Sequence, residues 1–387
     1  MINFKYSLRT TSLLFGIVLT SACHAENASS TQINQPELNQ KIQQEQKFKI
    51  QNIAKFNEPW AVLELPDGRL LLTERKGELL IFDPNTNKKI TVQGLPKVAY
   101  GGQGGLGDVV LHPQFEKNQQ IYLSYAEAGK GGFGAVILKA KLDVQDSKPT
   151  LKDSKIIWKQ VPKVEGQGHY SHRMVFGADG KLWVSSGERQ KFTPAQDMQS
   201  NLGKVLRLND DGTPAADNPF QNQGEVAQQV WSLGHRNPLG LAFDAKQQLW
   251  NVEMGPKGGD ELNLVKRAKN YGYPIVSNGD HYDDKPIPDH STRPEFEAPA
   301  ISWTPVISPS SLMFYQGKEF PLWKNKALIS GLSSQSIVIV DTEARPVKEI
   351  QRIAMPQRIR GLVESQDGRI WGIEDGEKAW LFKIKPE

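Results

Sequence analysis

The chain has one cysteine in 387 residues, Cys23, so no intramolecular disulfide and no cysteine-built metal site can form. Its N-terminal apolar stretch, Thr11 to Thr20 (TSLLFGIVLT), falls short of the ~20 residues that a spanning helix needs, and no transmembrane span is expected. No charge of one sign dominates. With 47 Lys+Arg against 43 Asp+Glu the formal charge is +4, and no basic run reaches five residues, which excludes an electrostatic nucleic-acid binder. Helical periodicity is equally scarce: nothing predicts a helix longer than two turns, and only 260–270 reads as locally helical. The glycine-dense run Tyr100 to Gly107 (YGGQGGLG) lacks a Gly-Lys-Ser/Thr ending and is no P-loop.

What is present points to strands and turns. The 34 Gly, 24 Pro and 9 Trp, with 38% hydrophobic residues, suit a loop-rich all-β fold around a globular core. Residues 1–25 read as a secretory signal, with Lys5 and Arg9 ahead of the apolar stretch. Thr20-Ser21-Ala22-Cys23 offers a lipoprotein exit with a lipid anchor at Cys23, and cleavage after Ala25 is the other exit. Either route predicts a periplasmic address. Residues 26–46, rich in Gln, Asn and Ser, suit a flexible tether.

From residue 47 to 387 one unit recurs, a polar turn followed by a run of β-branched and aromatic residues. Pro66-Asp67-Gly68-Arg69 leads into LLLTER, Ala178-Asp179-Gly180-Lys181 into LWVSSGE, and Gln366-Asp367-Gly368-Arg369 into IWGIED. Glu116-Lys117-Asn118, Asp244-Ala245-Lys246 and Trp323-Lys324-Asn325 open three more. Asp-Gly ahead of an apolar strand is a hairpin cue, and six similar units predict a six-bladed β-propeller of four-stranded antiparallel blades. A pair of β-sandwiches with coincidental turns is the alternative.

The stretch from Trp231 to Pro274 is the richest in chemistry. It holds GHRNPLG, then EMGPKGGDELN, then NYG, three turn-prone islands between short apolar runs. Together these motifs resemble the soluble pyrroloquinoline-quinone (PQQ)-dependent sugar dehydrogenases, the glucose/sorbosone dehydrogenase family, and within it the aldose branch. The resemblance runs from about Lys47 to Lys385. It implies PQQ and Ca2+ as cofactors and an aldose sugar as substrate, oxidised at the anomeric carbon to a lactone. A periplasmic electron acceptor would take the electrons onward.

The resemblance also assigns residues. His169 is placed as the base that takes the hydroxyl proton, a task neutral imidazole suits. His172, where the family usually has Gly, is left as a bystander, and Gly168 stands where glucose enzymes carry Asp. Arg236 and Asn237 fall to the quinone oxygens, Gln103 to the sugar or cofactor, and Tyr282 and Trp303 to the cofactor's surroundings. Core packing is the ordinary alternative for Trp303. Arg358 and Arg360 match the Arg-x-Arg pair expected to grip PQQ carboxylates, while Ser333 replaces a usual Lys. The carbonyls of Gly255 and Pro256 are implied for one calcium, and Glu261 with Tyr271 for a second, structural one. Asp260 and Glu261 read equally well as a solvated acidic pair. The rival function is a non-redox propeller, either a carbohydrate-binding module or a lactonase-like hydrolase. The sugar dehydrogenase reading requires His169, Arg236, Arg358 and Arg360 to meet at one end of the disc.

Overall fold

The computed structural model describes residues 46–144 and 148–387. The leader, Cys23 and nearly all of the tether fall outside the described residues. Gln46, the last tether residue, is already packed, its Oε1 accepting the Leu322 amide at 2.8 Å. Among the described residues no helix is long and apolar enough to cross a membrane.

Among the described residues twenty-four strands form six four-stranded antiparallel sheets, a six-bladed propeller. After β1 (Phe48–Phe56), the first blade holds β2 (Pro59–Glu64), β3 (Leu70–Glu74), β4 (Glu78–Asp83) and β5 (Lys88–Thr91). The second holds β6 (Leu106–Leu111), β7 (Gln120–Gly129), β8 (Gly132–Asp143) and β9 (Thr150–Lys159). The third holds β10 (Ser171–Phe176), β11 (Leu182–Ser186), β12 (Lys204–Leu208) and β13 (Val230–Leu233). The fourth holds β14 (Pro238–Phe243), β15 (Leu249–Glu253), β16 (Asp260–Leu264) and β17 (Ile301–Trp303). The fifth holds β18 (Pro309–Phe314), β19 (Ala327–Gly331), β20 (Ser336–Asp341) and β21 (Lys348–Ala354). The sixth holds β22 (Ile359–Glu364), β23 (Ile370–Glu374) and β24 (Ala379–Pro386), and β1 completes it by pairing with β24 from Phe48↔Pro386 to Phe56↔Ala379. That pairing closes the ring between residues far apart in sequence, leaving no open end of the repeat to aggregate.

All six predicted turns fall at one place, between the first and second strand of a blade. Five of the six second strands are buried along their length, as in LLLTE and LWVSS, and β7 is buried in its middle, so polar–apolar alternation is not their signature. Each faces a neighbouring blade on both sides. Leu71 packs into the cluster between blades one and two, while Leu70 and Leu72 pack into the one between blades six and one. The expected helix at 260–270 is not formed: Asp260–Leu264 is β16, paired on both sides, because burial between strands overrides a weak local preference.

The first strands line the axis and bury polar groups there, Asp108, Arg173 and Ser310 among them. Arg173, on β10, pairs with Asp108 of β6 at 3.0 Å. Its Nε donates to the Leu239 carbonyl of β14 and its Nη2 to the Ser310 carbonyl of β18, each at 2.8 Å. Its guanidinium lies 4.0 Å from the Trp60 ring of β2. One side chain therefore joins five blades. Asp108→Ala, which strands this buried cation, is expected to cost about 3–5 kcal/mol in guanidinium chloride unfolding. A loss below about 1 kcal/mol, the level of an exposed pair, would show the axis to be wet and the pair dispensable.

Candidate active site at the channel mouth

Each innermost strand carries one extra residue near its start, opposite the strand beside it. The shift lies between Pro59 and Ala61, Leu106 and Val109, Ser171 and Met174, Pro238 and Gly240, Pro309 and Ser311, and Ile359 and Gly361. Bulges bend a strand and re-aim its side chains. Repeated sixfold at one end of the disc, they turn the residues just before each strand toward the mouth. The loops between second and third strands open at the same end. Gln103, His169, Arg236 and Arg358 come from the first loop set, and Arg75, Glu188, Met254 and Asp375 from the second.

Two cavities adjoin there. One, of about 430 Å³, is walled by His169, Glu188, Phe192, Arg236, Pro256 and Tyr282, among others. The other, of about 280 Å³, is walled by Gln103, His172, Met254, Arg75, Arg358 and Arg360, among others. The Gln103 side chain joins them, its Oε1 accepting the His169 amide at 2.7 Å. Gln103 thus shapes the loop of the expected base.

His169 is held by a residue that sequence reasoning missed. Its Nδ1 lies 2.5 Å from Glu188 Oε1, and Glu188 Oε2 accepts the amides of Lys191 and Phe192 at 2.5 and 2.7 Å. This is the orientation that Gly168 could not supply. Burial raises the Glu188 carboxyl, but the His169 bond, the Phe192 amide and the Arg236 charge outweigh it, so Glu188 stays ionised. Glu188 then takes the Nδ1 proton, leaving Nε2 with the free lone pair. Burial pushes His169 below the usual imidazole range, against the Glu188 bond and with Arg236 adding to the depression. The imidazole is neutral near pH 7 and fit to accept a proton. Arg189 fixes the same loop from below, donating to the carbonyls of Gly168, Phe133 and Gly166 at 2.6–2.7 Å. Strain gathers here: His169, Ser171, His172, Arg189, Gln190 and Phe192 all hold φ between 46° and 62°, a region costly for non-glycine residues.

Arg236 is buried and, among the described residues, its guanidinium forms no ion pair. Nη1 donates to the carbonyls of Met254 and Gly255 at 3.1 and 2.7 Å, Nη2 reaches Tyr282 Oη at 3.3 Å, and Nε is buried without a partner. The Gly255 carbonyl implied for calcium is thus engaged by a cationic donor. Asn237 is buried beneath, its Oδ1 accepting Ser171 Oγ at 3.0 Å, and does not line either cavity. Arg358 and Arg360 converge on Asp375, with Nε distances of 2.8 and 2.9 Å. Two cations sharing one carboxylate leave positive charge facing the second cavity. Ser333 bonds Ser308 Oγ at 2.7 Å and supplies none. Arg75 reaches the same wall, held by Glu58 at 3.2 Å while it donates to the Gly102 and Gly104 carbonyls. Gly105 (φ +138°) admits no side chain, since a Cβ would sit 2.2 Å from the Arg75 carbonyl.

Two expectations are corrected by position. Trp303 lies in the core between blades four and five, its Nε1 bonded to Glu349 at 2.9 Å, and touches neither cavity. Asp260 and Glu261 are not a solvated pair. Asp260 is buried and accepts the amides of Gly255, Ile307 and Ser308 at 2.7–2.8 Å, fastening the Gly-Pro loop to blade five. Glu261 is buried 3.3 Å from His290. Burial, then the Glu253 charge, push its carboxyl up against the His290 interaction. A void of about 10 Å³, room for one ion or water, is walled by Glu253, Glu261 and Tyr271. Asn263 Nδ2 donates to both carboxylates at 3.0 and 3.2 Å, and its buried Oδ1 has no partner among the described residues. Oxygen donors of this kind suit a hard cation such as Ca2+.

Comparison with known proteins agrees with this arrangement. The family model described as glucose / sorbosone dehydrogenase matches residues 56–383. Aldose sugar dehydrogenase YliI of Escherichia coli is 34% identical over 86% of this chain and 91% of that protein. Quinoprotein glucose dehydrogenase B of Acinetobacter calcoaceticus is 32% identical over 58% of this chain and 52% of its own length. The PQQ-bound aldose sugar dehydrogenase of Streptomyces coelicolor superimposes with a TM-score of 0.71 at 26% identity, covering 88% of this chain and 99% of that one.

The His169–Glu188 contact yields a direct test by NMR titration of the imidazole. Removing the carboxylate charge in Glu188→Gln takes away the interaction that raises the His169 pKa, so its midpoint moves further below ~6.5. An unchanged or higher midpoint would mean that the two groups are not coupled.

Proposed function

The chain belongs to the glucose/sorbosone dehydrogenase family, and from that premise we propose that it oxidises aldose sugars at the anomeric carbon to lactones, with PQQ and Ca2+ as cofactors. The observation carrying this reading is the Glu188-held His169 on the same cavity wall as Arg236, whose buried Nε has no partner among the described residues, beside a second cavity with excess guanidinium charge. Arg358 and Arg360 would hold the PQQ carboxylates, Arg236 its quinone edge, and the 430 Å³ cavity the sugar over His169. PQQ, when bound, supplies the acceptor for the two electrons leaving the anomeric carbon, and Ca2+ supplies Lewis acidity.

The chain's own residues do the rest. His169 Nε2 takes the proton of the anomeric hydroxyl, and Glu188 stabilises the imidazolium that forms while keeping the ring aimed. Arg236, buried at the cavity wall, sets a positive charge where negative charge develops. Phe192 and Tyr282, 45% and 72% exposed, stand at the rim as flat faces for a sugar ring. Calcium at Gly255 and Pro256 requires Arg236 to release the Gly255 carbonyl. The Glu253–Glu261 void needs no such exchange and is the better-formed cation site. Export to the periplasm, with an acceptor there that reoxidises the quinone, belongs to the same proposal.

Adding PQQ and Ca2+ to purified protein should restore dye reduction by glucose. His169→Ala should lower the turnover by about 10²- to 10⁴-fold with PQQ affinity unchanged. Failure of PQQ to bind would return the chain to the non-redox alternative. Calcium alone should raise the melting temperature by several degrees, equivalent to about 2.7 kcal/mol at a hundredfold excess over Kd. Glu261→Gln should abolish that rise; a rise of equal size in the variant would place the ion elsewhere.

A further inference from the structure

The second cavity has a polar wall that neither charge pairing nor proton abstraction uses. His172 Nδ1 lies 2.7 Å from Ser124 Oγ. The same hydroxyl is 2.8 Å from the His172 carbonyl oxygen and 2.9 Å from the Asp108 amide. A hydroxyl has one proton to give and two lone pairs to offer. The Asp108 N–H takes one lone pair, and the carbonyl, which can only accept, takes the proton. The third contact is then a hydrogen bond only if Nδ1 is protonated and donates. Nε2 is therefore an unprotonated acceptor. It has no partner among the described residues and is not among the buried, sealed-off polar atoms, although His172 lines the cavity.

The ring cannot turn away. It stacks on Trp60 at 5.0 Å with a 20° interplanar angle, and a Cβ on Gly107 would stand 1.9 Å from its Cε1. Nor can it charge: burial, with Arg173 and Arg189 nearby, pushes its pKa down to about 3. The cavity thus sets one uncharged, directional acceptor among the guanidinium donors of Arg75, Arg358 and Arg360.

Resting on the PQQ reading, we propose that His172 is a cofactor-recognition residue whose Nε2 accepts a hydrogen bond from a ring N–H of the bound ligand, the pyrrole N–H in PQQ. The arginines hold an anion by charge. His172 adds the requirement for a donor at one place, which fixes the orientation of a planar ligand.

Two measurements test this. In the ¹⁵N-histidine-labelled apoprotein, His172 Nε2 should give a pyridine-type resonance that persists at mildly acid pH and shifts when PQQ is added; a protonated Nε2 would overturn the proposal. Calorimetry should then compare PQQ with its analogue methylated on the pyrrole nitrogen. Wild-type protein should bind the analogue about tenfold more weakly, whereas His172→Leu should bind the two alike and His172→Gln, which keeps an acceptor, should still discriminate. Equal binding of both ligands by wild type, or undiminished discrimination in His172→Leu, would end the proposal and leave the sugar dehydrogenase reading standing. No PQQ binding by the wild type would end both.

Discussion

The buried Arg173–Asp108 pair is the constraint on which the rest is built. A propeller's blades are held laterally by apolar clusters, and among the described residues each of the six lies chiefly between two neighbours. Apolar contact is non-directional and leaves blades free to slide by fractions of an ångström. The Arg173 guanidinium, with donors fixed in a plane, reaches four other blades, and Arg360 adds the sixth by donating to Ser310 Oγ at 3.1 Å. A buried ion pair adds little net stability, because desolvation offsets the attraction. Here it fixes how the innermost strands stand relative to one another at the axis.

That alignment matters because the site has no single owner. His169 and Glu188 belong to blade three, Arg236 to blade four, Gln103 to blade two, and Arg358, Arg360 and Asp375 to blade six. Proton abstraction and charge stabilisation tolerate little misplacement. The sixfold bulge, the left-handed residues around His169 and the Asp260 clasp between blades four and five turn strand ends into a defined mouth. Strain stored there is balanced by the closed ring and its buried second strands.

Much of this was legible in the chain. Six turn-and-strand units announced six blades because the period of a repeat survives even where its residues differ. His169, Arg236, Arg358 and Arg360 were singled out by short motifs through the family resemblance, and the structure brings their loops to one end of the disc. Glu188 and Asp375 left no such trace, since an acid in a turn after an apolar strand looks like any solvated loop residue. Both lie in the loop between second and third strands, which reaches the mouth only because antiparallel pairing returns it there. Trp303 failed in the opposite direction: its indole suits a ligand face or a core equally, and burial between blades decided for the core.

The linear order of residues alone determined the architecture and the kinds of chemical groups on hand, because turn chemistry, strand propensity and repeat length act over a few neighbours. Which groups meet, and in what protonation state, was decided by the tertiary structure. The neutral His169 with its lone pair outward, the shared carboxylate of Arg358 and Arg360, and the tautomer of His172 each depend on atoms from other blades. Hydrogen bonding and desolvation act through space, and the distances that set them exist only once the ring has closed.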